Sequence, residues 1–358
     1  MSAPYCSPTD AEAIAFLTQA VSIYSPSGQE QDVARFLVAE MDRFGLQAHI
    51  DSVGNAVGHL GDGPREIVLL GHIDTVPGNI PVRRDGNLLY GRGTVDAKGP
   101  FAAFVIAAAR AAAGTLSDLK ITLIGAVEEE AATSAGAYHA VQHYSPAYCI
   151  IGEPSSWHRI TLGYKGRLLV DYTLERSMSH TAGQERGACE QAVDFWLRLS
   201  QWADEYNRDK EQRFDSLDPS LRSICSTDDG FRERVEMTIG LRLPPGLDVE
   251  ALKAEMDGWQ GDARLTNHAY EQPFRADKRN ALTSAFLAAI RAEEGRAAFV
   301  TKTGTSDMNV VGPAWGCPIV AYGPGDSTLD HTPEEHIDVT EYLQAIRILT
   351  DVLSRLAE

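Results

Sequence analysis

The chain has few cysteines, too few basic residues and no long apolar run, and each shortage excludes a class of protein. Cys6, Cys149, Cys189, Cys225 and Cys317 are odd in number and scattered, with no CxxC spacing, so neither a disulfide framework nor a structural zinc ribbon is predicted. They read as free thiols. Basic residues number 32 against 50 acidic ones, a net charge of -18, which argues against general nucleic-acid binding because that needs a basic stripe. The longest apolar stretch, residues 101–113, contains Arg110 and falls short of the roughly 18 residues that span a bilayer. Residues 1–6 lack the basic and apolar regions of a signal peptide. A cytoplasmic protein with no membrane and no nucleic-acid partner is the expectation.

What is present is an ordinary globular composition, 44% hydrophobic and 23% charged, over 358 residues. That length exceeds the roughly 250 to 300 residues at which a single core stops growing, so two domains are expected. Helical spacing of apolar residues covers 11–21 and 30–44, with Ser25-Pro26-Ser27-Gly28 as the turn between them. Strand patterns follow at 48–52, 56–60, 66–70, 120–127 and 148–151, separated by helical segments near 100–113 and 134–144. This alternation predicts an α/β fold, a mixed or parallel sheet covered by helices. After Gly163 the pattern reads strand 167–174, helix 185–206, strand 234–243, helix 249–257 and strand 262–271, an inserted βαββαβ-like unit. The polar stretch 208–232 is expected to be a mobile loop. Helix 282–294, strand 318–322 and helix 339–356 resume the first pattern, so residues 1–162 and 274–358 are expected to form one domain around an insert at 163–273.

Six potential metal donors stand in local motifs beside turn signals. His72 ends the apolar run Leu69-Leu70-Gly71-His72-Ile73-Asp74-Thr75-Val76-Pro77, at a strand exit, where α/β enzymes place their chemistry. Asp74 is spaced to accept that ligand's second ring proton and fix its tautomer. Asp96 lies in the glycine-rich Gly91-Arg92-Gly93-Thr94-Val95-Asp96-Ala97-Lys98-Gly99, a loop from which one carboxylate can bridge two ions. Glu128-Glu129-Glu130 follows the apolar run 121–127, and Glu153 repeats the arrangement in Ile151-Gly152-Glu153-Pro154. His331 and His336 share a late loop, and composition does not choose between them. Singly, each has an ordinary explanation: a loop-capping His, an Asp bonding its own turn, a solvated acidic helix start, a Glu before Pro. Together, acids crowded at buried strand exits are costly unless cations neutralise them or one stays protonated. A divalent-metal hydrolase is therefore predicted.

The order of HxDTVP, GRGTVDAKG, the EEE cluster, GEP and a late His followed four residues on by Glu resembles the M20 metallopeptidases, which include aminoacylases, acetylornithine deacetylases and succinyl-diaminopimelate desuccinylases. Leu241-Arg242-Leu243-Pro244-Pro245-Gly246 and Gly304-Thr305-Ser306-Asp307 extend the resemblance over nearly the whole chain. It implies a zinc-peptidase-like mixed sheet sandwiched by helices, with the insert as a ferredoxin-like dimerisation domain. It also implies two divalent ions, zinc or cobalt, with His72 and Glu153 on one, Glu130 and His331 on the other, and Asp96 bridging. Glu129 would be the general base, with a Glu128/Glu129 register as the alternative, and Asp74 would support catalysis. His180 resembles the insert histidine that reaches the partner subunit's site and stabilises the oxyanion, which implies a homodimer.

The finer resemblance, carried by Gly163-Tyr164-Lys165-Gly166-Arg167, the compact insert and Glu128-Glu129-Glu130-Ala131-Ala132-Thr133-Ser134, is to hydrolases that release lysine or ornithine from an acidic amino-group carrier protein in lysine or arginine biosynthesis. A basic rim is then expected, with Arg167, Lys165, Arg242, Arg275 and Lys302 as candidates, of which Arg242, Arg275 and Lys165 would bind substrate. A general N-acyl-amino-acid deacylase, or a dipeptidase or carboxypeptidase, is the alternative. A metal-binding protein without hydrolysis would require Glu129 to lie away from the ions.

Overall fold

The computed structural model describes residues 7–114, 118–178 and 186–357. It divides into two compact units, the first from residues 1–163, 275–301 and 306–358, the second from residues 164–274 and 302–305.

The first unit opens with α1 (Asp10–Ser22) and α2 (Gln31–Arg43). Thr9 and Glu12 close a reciprocal capping box on α1, satisfying two of the amides that a helix start leaves without partners. The chain continues through β1 (Gln47–Ile50), β2 (Ala56–Leu60), β3 (Arg65–His72), β4 (Arg83–Asp85) and β5 (Leu88–Tyr90). Next come α3 (Lys98–Ala111), β6 (Leu119–Ala126), α4 (Ala135–His143), β7 (Tyr148–Ile151) and β8 (Arg159–Tyr164).

The second unit contains β9 (Gly166–Ser177), α5 (Ala188–Asn207), β10 (Asp218–Asp228), β11 (Arg232–Leu243), α6 (Val249–Trp259) and β12 (Arg264–Glu271). The chain closes with β13 (Phe274–Arg275), α7 (Ala281–Ala292), β14 (Ala298–Lys302), α8 (Met308–Trp315), β15 (Ile319–Ala321), β16 (His336–Asp338) and α9 (Val339–Ala357).

Among the described residues, nine strands form the large sheet in the order β1-β2-β6-β3-β7-β15-β8-β13, with β14 beside β8. Its centre is parallel: β3 pairs with β6 and β7, and β15 with β7. The antiparallel β1 and β2 extend one side. Apolar residues run continuously along β3 and β6 because both faces of these strands are covered. Helix α3 is the centre of the covering. Nearly every side chain on it is buried, including Phe101 and Phe104, and it packs on β3, β6, α1 and α9. Its alanines permit that crowding, and α4 and α8 pack together as a separate pair, with α4 on β6. The architecture is the helix-flanked mixed sheet that the alternation predicts.

In the second unit a four-stranded sheet runs β10-β11-β9-β12, all neighbours antiparallel. Taken in chain order this is a complete βαββαβ unit. It corrects the expectation for residues 208–232, which are not a loop: they contain β10, an eleven-residue edge strand. Most of β10 is exposed, so its sequence has no reason to alternate apolar with polar, and alternation is the signal by which a half-buried strand is read. The core of this unit, with Tyr172, Phe195, Ile239 and Leu252, is separate from that of the first.

Candidate metal centre

The site is built by strand register. β6, β3 and β7 are parallel neighbours in which His72 stands level with Ala126, and Leu70 with Ile151. Residues just beyond Ala126 and Ile151 therefore leave the sheet beside His72. Glu129, Glu130 and Glu153 are those residues, at the carboxyl ends of adjacent parallel strands, where such sheets open a crevice.

The geometry centres on Asp96. His72 Nε2 lies 3.0 Å from Asp96 Oδ1, and His331 Nε2 lies 3.0 Å from Asp96 Oδ2. One carboxylate thus presents one oxygen to each imidazole. Glu130 Oε1 is 2.9 Å from His331 Nε2, and Glu153 Oε1 is 4.0 Å from His72 Nε2. Donor atoms of His72, Asp96 and Glu130 all lie within 4.8 Å of one another. Nitrogen and carboxylate donors without thiolates suit zinc, cobalt or manganese over softer ions. The crowding of Asp96, Glu129, Glu130 and Glu153 is the charge excess that divalent cations would cancel.

Asp74 is fully buried and organises two of these elements. Its backbone carbonyl lies 3.0 Å from His72 Nδ1 and its Oδ1 3.4 Å, leaving Nε2 to face Asp96. Its two oxygens accept the backbone N–H groups of Glu129 and Glu130 at 3.1 and 3.0 Å, and Ser27 Oγ donates to Oδ2 at 2.7 Å. One carboxylate therefore sets the ring of His72 and the course of the acidic turn.

Electrostatics follow the packing. For His72, lost hydration opposes the charged form, but hydrogen bonds to Asp74 and Asp96 outweigh it and raise the ring well above its usual range. Hydrogen bonds donated to Asp96 and Glu130 push His331 up to about 10. For Asp96, burial is overcome by its bonds to His331 and His72, which hold it far below the ordinary carboxylate range. Glu129 is displaced the opposite way: burial, opposed by His72 and reinforced by the charges of Glu153, Asp307 and Glu130, lifts it well above normal. A carboxyl inclined to take a proton thus stands among ligands disposed to hold cations. Glu128 and His331 both occupy the left-handed backbone region, at φ 60 and 61. Such conformations cost about 1–3 kcal/mol each for residues with side chains and concentrate at functional sites.

The structure brings together His72, Asp74, Asp96, Glu129, Glu130, Glu153 and His331. Glu130 is the acid that meets His331, while Glu128 accepts a hydrogen bond from Thr133 Oγ1 at 2.6 Å. His336 instead pairs its ring with Tyr90. His180 lies outside the described residues. Among the expected rim residues, Lys165 is buried and donates to Ser216 O and Asp218 Oδ2, both at 2.6 Å. That removes it from a solvent-facing rim, because its ammonium is taken up within the second unit. Arg167 pairs with Glu271, Arg242 Nη1 donates to Thr305 Oγ1 at 3.2 Å, and Arg275 is exposed.

Sequence reasoning missed the acceptors that hold the loops. Ser27 comes from the segment read as a plain turn and Glu30 from the start of the helical segment after it, and Glu30 Oε1 accepts the amides of Gly28 and Glu128 at 2.9 and 3.2 Å. An acid three residues after a turn serine is the faint signal that could have found Glu30.

Comparison with known proteins follows the same lines. The profile of Peptidase family M20/M25/M40 matches residues 68–355. A [LysW]-lysine hydrolase of Deinococcus radiodurans is 46% identical over 348 residues, 95% of this chain and 96% of that protein. A protein of Thermococcus kodakarensis named putative [LysW]-lysine/[LysW]-ornithine hydrolase is 39% identical over 347 residues, 96% of this chain and 92% of its own. The M20 metallo-carboxypeptidase Sso-CP2 of Sulfolobus solfataricus superposes with a TM-score of 0.80 at 16% identity, over 97% of this chain and 99% of that one. That last likeness is one of fold.

Asp74→Asn is expected to weaken divalent-ion binding about 10- to 100-fold, the usual effect of losing a partner that orients a ligand. The amide replaces one acceptor with a donor facing a backbone N–H. Equilibrium dialysis of the metal-free protein measures it, and an affinity within about two-fold of wild type would remove Asp74 from this role.

Proposed function

The chain belongs to peptidase family M20/M25/M40, whose members hydrolyse amide bonds, and we propose that it releases lysine, or ornithine, from an acidic amino-group carrier protein in amino-acid biosynthesis. The observation that carries this substrate is the 46% identity, over 95% of the chain, to a protein named [LysW]-lysine hydrolase. A carrier-linked biosynthetic substrate supports a cytoplasmic reaction, and no helix among the described residues is long and apolar enough to cross a membrane.

In this reading His72 and Glu153 would hold one divalent ion, zinc or cobalt, and Glu130 and His331 the other, with Asp96 serving both. When bound, such a pair polarises a scissile carbonyl and brings the pKa of a water toward neutrality. Glu129 takes the proton of the attacking water and returns it to the departing amine, as base and then acid. Burial among like charges raises its proton affinity, which suits a group that has to take a proton. Asp74 keeps His72 in its tautomer and Glu129 on its turn. His180 is assigned, from the family resemblance, to the oxyanion in the partner subunit's site.

Two further features support the reading. With the chain at -18 overall, an acidic carrier would be drawn by local cations, and the exposed Arg275 is the clearest of these, with Arg242 as a second candidate. A homodimer is supported by the second unit's edge strand β10, where Leu221 and Ile224 are exposed, and by Val193 and Leu197, exposed one turn apart on α5. Unpaired edges and apolar patches of this kind are ordinarily covered.

Glu129→Gln is expected to retain both ions while turnover falls at least about 100-fold, the lower range of general acid–base contributions; metal analysis beside a rate assay measures this, and unchanged turnover would refute the base. Light scattering of the wild-type chain should give the mass of two copies, and Ile224→Lys should shift it toward one; a monomeric wild type ends the dimer assignment. Lysine release from carrier-linked lysine should exceed amine release from N-acetyl-lysine, N-acetylornithine and a simple dipeptide, and should vanish with chelator. Preference for the free acetylated amino acids would return the chain to the general deacylases, and preference for the dipeptide to the peptidases.

A further inference from the structure

We propose that Glu335 is a positioning residue for the bridging carboxylate Asp96, acting through the backbone of the loop that carries it; the inference rests on the dinuclear reading above. β16 pairs with β5 so that His336 faces Tyr90. Glu335 immediately precedes the one strand and Gly91 immediately follows the other, and the Gly91 amide donates to the Glu335 carbonyl at 3.3 Å. The Glu335 side chain is thereby delivered into the glycine-rich loop 91–97. There its Oε1 accepts the N–H groups of Gly93, Val95 and Asp96 at 2.9, 3.0 and 3.2 Å. Its Oε2 pairs with Arg92 Nη1 at 2.8 Å, and Arg92 Nε donates to the Gly78 carbonyl at 3.1 Å. Glu335 is 0% exposed and Arg92 7%.

This loop needs such a partner. Gly93 stands at φ +90 and, like Gly91, offers no side chain to anchor the turn, so convergent hydrogen bonds to one acceptor supply the order that side-chain packing does not. The same segment carries His331 four residues earlier, whose Nε2 meets Asp96 Oδ2 at 3.0 Å. One stretch of chain thus grips Asp96 twice, by its side chain through His331 and by its backbone through Glu335. A glutamine at 335 would keep one acceptor for three amides but turn a donor toward Arg92. An aspartate would keep the charge and fall a methylene short.

The test is competitive titration of the metal-free, full-length chain with Zn2+ against a chelating dye, with the visible absorption of the Co2+ form and thermal unfolding of the metal-free form alongside. Wild type, Glu335→Gln, Glu335→Asp, Asp96→Asn and the Asp96→Asn/Glu335→Gln double variant are compared. Glu335→Gln should weaken ion binding about 10- to 100-fold and change the Co2+ spectrum, and Glu335→Asp should do so less. In the Asp96→Asn background Glu335→Gln should add less than about two-fold, because the residue acts through Asp96. Unchanged affinity and spectrum in Glu335→Gln, or an equal loss with and without Asp96, overturns the inference. Should Glu335→Gln not fold, Glu335→Asp carries the same comparison with the same two outcomes. Wild-type stoichiometry reads the dinuclear centre separately: fewer than two ions there overturns the reading and the inference together.

Discussion

Asp96 shared between His72 and His331 is the interaction on which the rest of the site depends. A single buried carboxylate with an imidazole 3.0 Å from each oxygen draws both histidines to one point. It also sets the electrostatic problem of the site. Glu129, Glu130 and Glu153 stand around the same point, and like charges taken from water oppose folding unless protons or cations meet them. The raised proton affinities of His331, from its hydrogen bonds to two carboxylates, and of Glu129, from burial among like charges, are two expressions of that crowding.

Holding such a cluster falls to buried acceptors that bind backbone rather than metal. Asp74 takes the amides of Glu129 and Glu130, Glu30 that of Glu128, and Glu335 those of Gly93, Val95 and Asp96. Each converts a turn that would otherwise carry free amides into a fixed frame, since a buried N–H without a partner costs about 1–3 kcal/mol. The strained φ of Glu128 and His331 is supported by this over-determination. The parallel register of β3, β6 and β7 gives the coarse position, and the acceptors give the fine one.

The second unit follows a different logic. It has its own core and its sheet ends in β10, whose exposure leaves a row of backbone groups at an edge. The same exposure hid the strand from its sequence, where Arg222, Ser223, Ser226 and Thr227 resemble a polar linker. Lys165 illustrates a related failure: a lysine between two glycine-flanked strands reads as a surface cation, and only the placement of Asp218 and the Ser216 carbonyl beneath it makes burial possible.

The sequence by itself determined the layered α/β class, the apolar β3 and β6, the alanine-rich α3 and the residue types of the site, because burial periodicity and turn chemistry are local properties of the chain. It also carried the motif order that marks the family. Tertiary structure alone decided that Asp74 orders two elements at once, and that Glu335 and Glu30 are part of the frame. Those assignments depend on which carboxylate oxygen faces which amide across 55 to 242 positions of sequence. No local pattern records such a distance; strand register and loop closure create it.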